Sequence, residues 1–150
     1  MAAPVTTDQW DEYVTRLTAG DVALVDSWNI GLYYDATDTI VASDDVAAVT
    51  TEPSGSGYAT KTITPSTAVS IVADGADWKH DVDDQVFSSL TFSVATQVDA
   101  WYMSLSVQLD GDGSPTEHLM AVGLLTGGPY DLQNYTEFTA QNIGIKQTQG

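Results

Sequence analysis

Two histidines and 21 carboxylates are the side chains of this sequence best suited to chemistry. His80 sits in Asp77-Trp-Lys-His-Asp81, with Asp83 and Asp84 beyond. An imidazole beside carboxylates suits metal binding or proton shuttling. In a chain this rich in acids such neighbours also arise by chance, so a structural role is the plainer expectation for His80. His118 has Glu117 beside it and reads as a surface residue. Asp110-Gly-Asp-Gly-Ser-Pro-Thr-Glu117 has the composition of a calcium loop. It departs from the EF-hand pattern twice: Pro115 stands where glycine is required, and Ala121 where a bidentate glutamate is required. A hairpin turn is the expectation here. Weak binding of a cation (Na, K, Mg or Ca) by Asp110 and Asp112 is the alternative, since hard cations need only clustered oxygens.

Other catalytic signatures are missing from the sequence. There is no Gly-x-Ser-x-Gly elbow and no His-Glu-x-x-His run. Ser54-Gly-Ser56-Gly57 is not followed by Gly-Lys-Ser/Thr, so it reads as a flexible loop and not as a phosphate cradle. With no cysteine, disulfides and thiol catalysis are excluded. Paired acids for glycoside hydrolysis stay open, because carboxylate separations are not legible in a sequence. The expectation is a protein that is not an enzyme and has no cofactor.

The elements that would position these residues begin with one helix. Trp10, Tyr13, Val14 and Leu17 recur at helical spacing and form a single apolar stripe. Thr7 or Asp8 suits the N-cap, Asp11 and Glu12 favour the first turn, and Gly20 suits the end. The stripe is expected to pack on the domain; docking on a partner is the sharper alternative. After Gly20 the period becomes two. Trp28 to Tyr34, Leu90 to Val94, Trp101 to Leu109 and Met120 to Leu124 alternate as half-buried strands. Shorter strands are expected near residues 40–49, 58–63, 68–73 and 138–145, separated by Gly, Pro and Asp turns. The stretch 42–57 is the least patterned and reads as a surface loop. The predicted fold is mainly β: a jelly-roll-like antiparallel β-sandwich over residues 21–150, preceded by a short N-terminal α-helix segment over residues 1–20.

Charge bounds the environment. Only Arg16, Lys61, Lys79 and Lys146 offset the acids, and the net charge is −17. Such a chain repels itself in dilute buffer. Molar salt removes that penalty, because the screening length falls to about 3 Å at 1 M. A disordered acidic chain is the competing reading; the 43% hydrophobic content and clear periodicity argue against it. Nucleic acid is not an expected partner, since no basic footprint exists. No membrane insertion is expected, and the first residues do not read as a signal peptide.

The order of motifs resembles a family of tailed-phage virion proteins. The residues that carry the resemblance are Trp28-Asn-Ile-Gly-Leu-Tyr33, the acidic loop from Asp35 to Asp38, and Glu52-Pro-Ser-Gly-Ser-Gly-Tyr-Ala59. Leu90-Thr-Phe92 is similar to a later strand of that family, with Leu90 in place of its valine. The resemblance implies a structural protein on the virion exterior: a capsid decoration or turret protein, or alternatively a tail, baseplate or fibre component. The extreme acidity departs from the family and implies a virus of a halophilic archaeon. Expected partners are other virion proteins, further copies in a symmetric homo-oligomer, and a host surface glycan. Partner contacts are expected at Trp10, Tyr13, Val14, Leu17, Trp78 and Tyr130. A carbohydrate-binding β-sandwich module is the expectation of a different class.

Overall fold

A computed structural model describes residues 5–147. In chain order its first elements are β1 (Val5–Thr6), α1 (Asp8–Thr18), β2 (Trp28–Tyr33), α2 (Asp35–Asp38), β3 (Lys61–Ile63), α3 (Pro65–Ala68), β4 (Val69–Asp74) and β5 (Asp77–Val82). There follow β6 (Gln85–Ser88), β7 (Gln97–Val98), β8 (Ala100–Val107), β9 (Thr116–Leu124), β10 (Tyr130–Asp131), β11 (Glu137–Ala140) and β12 (Gly144–Gln147). Short 3-10 turns occupy Val46–Ala48 and Leu132–Asn134. The protein is mainly β, with antiparallel pairing throughout and one short helix near its start.

Helix α1 starts and stops as its sequence dictates. The Thr7 hydroxyl accepts from the Trp10 N–H at 3.3 Å and donates to the Leu119 carbonyl, which bolts the helix start to β9. At the other end Gly20 N–H bonds to Leu17 O and Asp21 N–H to Arg16 O, a Schellman finish made possible by the left-handed Gly20 at φ 74°. The helix packs into the body of the protein. Trp10 and Tyr13 lie in the main core with residues of β2, β5, β8 and β9.

One five-stranded sheet, in the order β1-β9-β8-β2-β3, organises the body. Its central strand β8 carries two adjacent aromatics on opposite faces, each over a glycine. Trp101 pairs with Gly123 of β9, and Tyr102 pairs with Gly31 of β2. A Cβ at either glycine would collide with the ring, so the glycines of these strands are slots for aromatic side chains. A bulge between Met103 and Ser104 leaves Met120 as the extra residue of β9, and Met120 and Ala121 both enter the main core. The opposite face holds Tyr33, Ile40, Ala100, Tyr102, Leu119 and Val122, covered by Val46, Ala48 and Val49. Three smaller ladders, β12-β5-β4, β11-β6 and β10-β7, supply Ile145, Val82, Phe87, Phe138 and Val98 to the main core. The result is sandwich-like.

The Glu52–Ala59 stretch is a corner tie. The Glu52 carboxylate accepts from the Tyr58 hydroxyl at 3.0 Å, the Thr60 hydroxyl at 2.6 Å and the Tyr102 hydroxyl at 2.8 Å. The Tyr58 hydroxyl in turn accepts from the Leu32 N–H at 2.8 Å, and its ring stacks on Phe87. Burial, with the nearby carboxylate, pushes the Tyr58 and Tyr102 hydroxyls far above the ordinary tyrosine value. Gly57 sits at φ 82° against the Ser89 carbonyl, where no side chain fits.

Several expected strands are absent or displaced. No strand forms over residues 40–49, because aspartates there bond their own backbone: Asp44 accepts from Val41 N–H, and Asp45 accepts from Val46 N–H. The strand expected from Leu90 to Val94 is replaced by β6, which ends at Ser88; Ser89 turns left-handed at φ 59°. Leu90 and Thr91 then bond to Thr136 and Ser56 of neighbouring loops; of the alternating residues Leu90 is buried, Phe92 half-buried and Val94 exposed, with no ladder. The long strand expected over residues 138–145 is two strands, β11 and β12, broken near the left-handed Asn142. Strand β5 is absent from the sequence-based expectations, because His80 interrupts the apolar half of its alternation between Trp78 and Val82.

Candidate functional site

An open groove of about 350 Å³ lies between α1 and the three-stranded ladder, lined by Trp10, Tyr13, Val14, Leu17, Leu24, Trp28 and His80. Each position has a local cause. Helical spacing puts Trp10, Tyr13, Val14 and Leu17 on one face. Trp28 opens β2. His80 belongs to β5, opposite Ile71 of β4 and Ile145 of β12. Leu24, 70% exposed, comes from the loop between α1 and β2.

The floor of the groove is aromatic. Trp10 meets Trp28 at 87°, Trp10 meets His80 at 80°, and Trp28 meets His80 at 68°, with ring centroids 5.8–6.3 Å apart. This edge-to-face arrangement lets ring edges rest on π faces. It also accommodates Trp10 Nε1, Trp28 Nε1 and His80 Nδ1, which are buried with no hydrogen-bond partner. Burial holds the His80 pKa below the ordinary histidine value, and a backbone hydrogen bond at Ile145 opposes this. The setting thus favours the neutral ring. The lining is apolar and aromatic apart from His80 and the Tyr13 hydroxyl, which accepts from the Val25 N–H at 3.2 Å.

Beyond the groove the ladder β12-β5-β4 continues as an arm. Residues two apart share a face of a strand. Trp78 therefore extends the His80 face of β5, and Ala73 extends the Ile71 face of β4. Ile71 is 59% exposed and Trp78 50% exposed. The opposite face is charged: Lys79 pairs with Asp81 at 2.9 Å, and Lys146 reaches Asp74 and Asp77 at 3.2 Å.

A second cluster lies at the loop between β8 and β9. His118 is not the free surface residue the sequence implies; its side chain is 12% exposed between two aspartates. Its Nδ1 lies 2.6 Å from Asp45 Oδ2 and its Nε2 lies 2.7 Å from Asp112 Oδ2. The Thr116 hydroxyl is 3.0 Å from the same Nε2. Hydroxyl, imidazole and carboxylate in that order resemble a nucleophile relay. The second carboxylate changes the chemistry. Carboxylates only accept, so two of them favour the doubly protonated ring, which has no lone pair to take the Thr116 proton. Burial works against that charge, yet Asp112 and Asp45 outweigh it and raise the His118 pKa. The Leu109 N–H and then His118 lower the Asp112 pKa. The cluster is a clamp: Asp45 also accepts from the Leu119 N–H at 2.7 Å, which ties the 41–48 loop to β9.

The expected site residues are thus divided. Trp10 and Tyr13 are 4% and 2% exposed, so they are core residues whose edges floor the groove. Val14 and Leu17 line it half-buried, and Trp78 stands on the arm. Tyr130 lies apart, packed on Tyr135 and Phe138. Asp110 and Asp112 serve different partners: Asp110 stands exposed 3.8 Å from Arg16, while Asp112 holds His118. Among the described residues no group of three or more side chains is arranged to hold a metal, and no helix is long and apolar enough to cross a membrane. Leu24, Trp28 and Ile71 are site residues that sequence reasoning missed. For Leu24 the signal is the apolar run Val22-Ala-Leu-Val25 between Asp21 and Asp26, which fits no element. Comparison with known proteins returns nothing: no family model, no curated protein and no solved structure matches the chain.

Proposed function

We propose that this protein is a structural, non-catalytic component on the outside of a tailed virus particle in concentrated salt, a capsid decoration or turret protein of a virus of a halophilic archaeon. The observation that carries the assembly part of this reading is the contrast between the chain's net charge of −17 and one three-stranded arm with exposed Ile71 and Trp78 beside an aromatic groove. An exposed apolar patch on a highly charged protein marks a contact surface. The virion part rests on the motif resemblance. The matching residues Trp28–Tyr33 and Glu52–Ala59 have architectural work here, which suits a module whose output is shape. A jelly-roll-like form belongs to the same reading, supported by β2 lying beside the distant β8 as in Greek-key connections. Bound cations, in this reading, are diffuse counterions of the acid surface.

Immunogold microscopy of particles from the source culture tests the proposal. Gold over the heads is the expected result. Gold on the tail or its tip moves the protein to a baseplate or fibre role in host attachment, and unlabelled particles overturn the virion reading. The half-exposed Trp78 favours one further reading, a carbohydrate-binding module in which that ring stacks on a sugar. Glycan-array binding that disappears in Trp78→Ala would establish it, and no binding to any glycan would remove it.

A further inference from the structure

Strand β4 is the longest edge strand among the described residues: it spans six residues, while the other strands at sheet edges span two to four. It pairs with β5 on one side and with no strand on the other. Proteins usually protect such an edge with lysine, proline, a bulge or an inward charge. Val69-Ser-Ile-Val-Ala73 has none of these. It lies in the chain's longest acid-free stretch, residues 53–73. The strands β4, β5 and β12 carry Asp74, Asp77 and Asp81 against Lys79 and Lys146, so the arm holds one net negative charge of the chain's 17. Two copies of so acidic a protein can meet here with little repulsion.

We infer that β4 is an assembly edge, pairing antiparallel about Ile71 with β4 of a second copy and joining two three-stranded arms into one six-stranded sheet. The inference deepens the assembly reading above and rests on it. The backbone selects the register. The two-residue turn at Gly75 and Ala76 makes Asp74 and Asp77 the hydrogen-bonded closing pair of the β4–β5 hairpin. Alternation from there leaves the outward N–H and C=O groups on Val69, Ile71 and Ala73. A two-fold axis at Ile71 sets Ile71 against itself and Val69 against Ala73, so every outward group meets an outward group. That pairing is isologous and closes as a dimer. No carboxylate meets another, because Asp74 falls opposite Ala68. The exposed Ile71 side chains become cross-strand neighbours on one face of the joined sheet.

The test uses the full chain in multimolar salt. Light scattering is expected to give an even number of copies, and Ile71→Pro should halve the mass with an unchanged circular-dichroism spectrum. Proline at position 71 removes only an outward N–H and spares the bonds to β5. Because the chain has no cysteine, Ile71→Cys gives an independent reading. Mild oxidation should produce a covalent dimer, while Val94→Cys, exposed in a loop, should not. An unaltered mass in Ile71→Pro, or an Ile71→Cys variant that cross-links no better than Val94→Cys, overturns the edge and leaves the particle reading to its own labelling test. A monomeric wild type, or cross-linking of the Ile71→Cys variant to a different virion protein in particles, overturns the second copy as occupant.

Discussion

Strand β8 is buried at seven of its eight residues, whereas β4 is exposed at five of its six. Both are apolar, alternating and antiparallel. The difference lies in what covers them. Strand β8 has neighbours on both edges, the main core on one face and the 34–50 segment on the other. Strand β4 has one neighbour, and its apolar face runs past the end of the core. The two histidines follow the same division. His118 belongs to the body, where two aspartates raise its pKa against the effect of burial, while His80 stands at the root of the arm, where burial among indoles lowers its pKa. One molecule thus contains a body tied by carboxylates and an arm with its edge open.

The largest test of that contrast is salt. The body carries nearly all the net charge, so dilution from molar to physiological salt should unfold it, followed by circular dichroism. An unchanged melt would show that the acid surface is not a salt device. Next in size is a pair of tryptophans. Trp101→Ala, removing a fully buried ring over Gly123, should cost about 3–5 kcal/mol in denaturant unfolding. Trp78→Ala on the arm should cost less than about 0.5 kcal/mol. Equal losses would mean that the arm is part of the core.

Glu52→Ala should cost about 1–3 kcal/mol, because the Tyr58, Thr60 and Tyr102 hydroxyls lose a common acceptor. Hydrogen exchange should then rise at Leu32, whose N–H depends on Tyr58. The smallest effect is a pH dependence of two signs. The raised His118 pKa contributes stability that is complete below the unfolded value of 6.5 and is lost as pH rises through the folded one. The lowered His80 pKa contributes stability that is complete above that value and is lost as pH falls through the folded one. Imidazole resonances should titrate His80 at lower pH than His118, and the reverse order would break the comparison.

The helix was legible down to its caps, because Thr7 and Gly20 act on neighbours in sequence. Strands β2, β8 and β9 were legible because each presents a long alternation to a core. The partner-contact candidates on the helix were legible only as a stripe: spacing put Trp10, Tyr13, Val14 and Leu17 together but could not say that two of them would be buried. His118 reads as a lone surface residue in the sequence, since Asp45 is 73 residues away and Asp112, six residues away, reaches it only through the turn between β8 and β9. Residues 40–49 read as a strand because apolar counting ignores aspartates that bond their own backbone.

The sequence by itself determined an acid-coated, cysteine-free, mainly β protein with a capped helix at its start, because composition and short-range periodicity are local properties. Tertiary structure decided which alternating strand became core and which became edge, and in which direction each histidine's pKa moves. Those outcomes depend on what lies across a sheet, and the residues that meet there are separated by tens of positions in the chain.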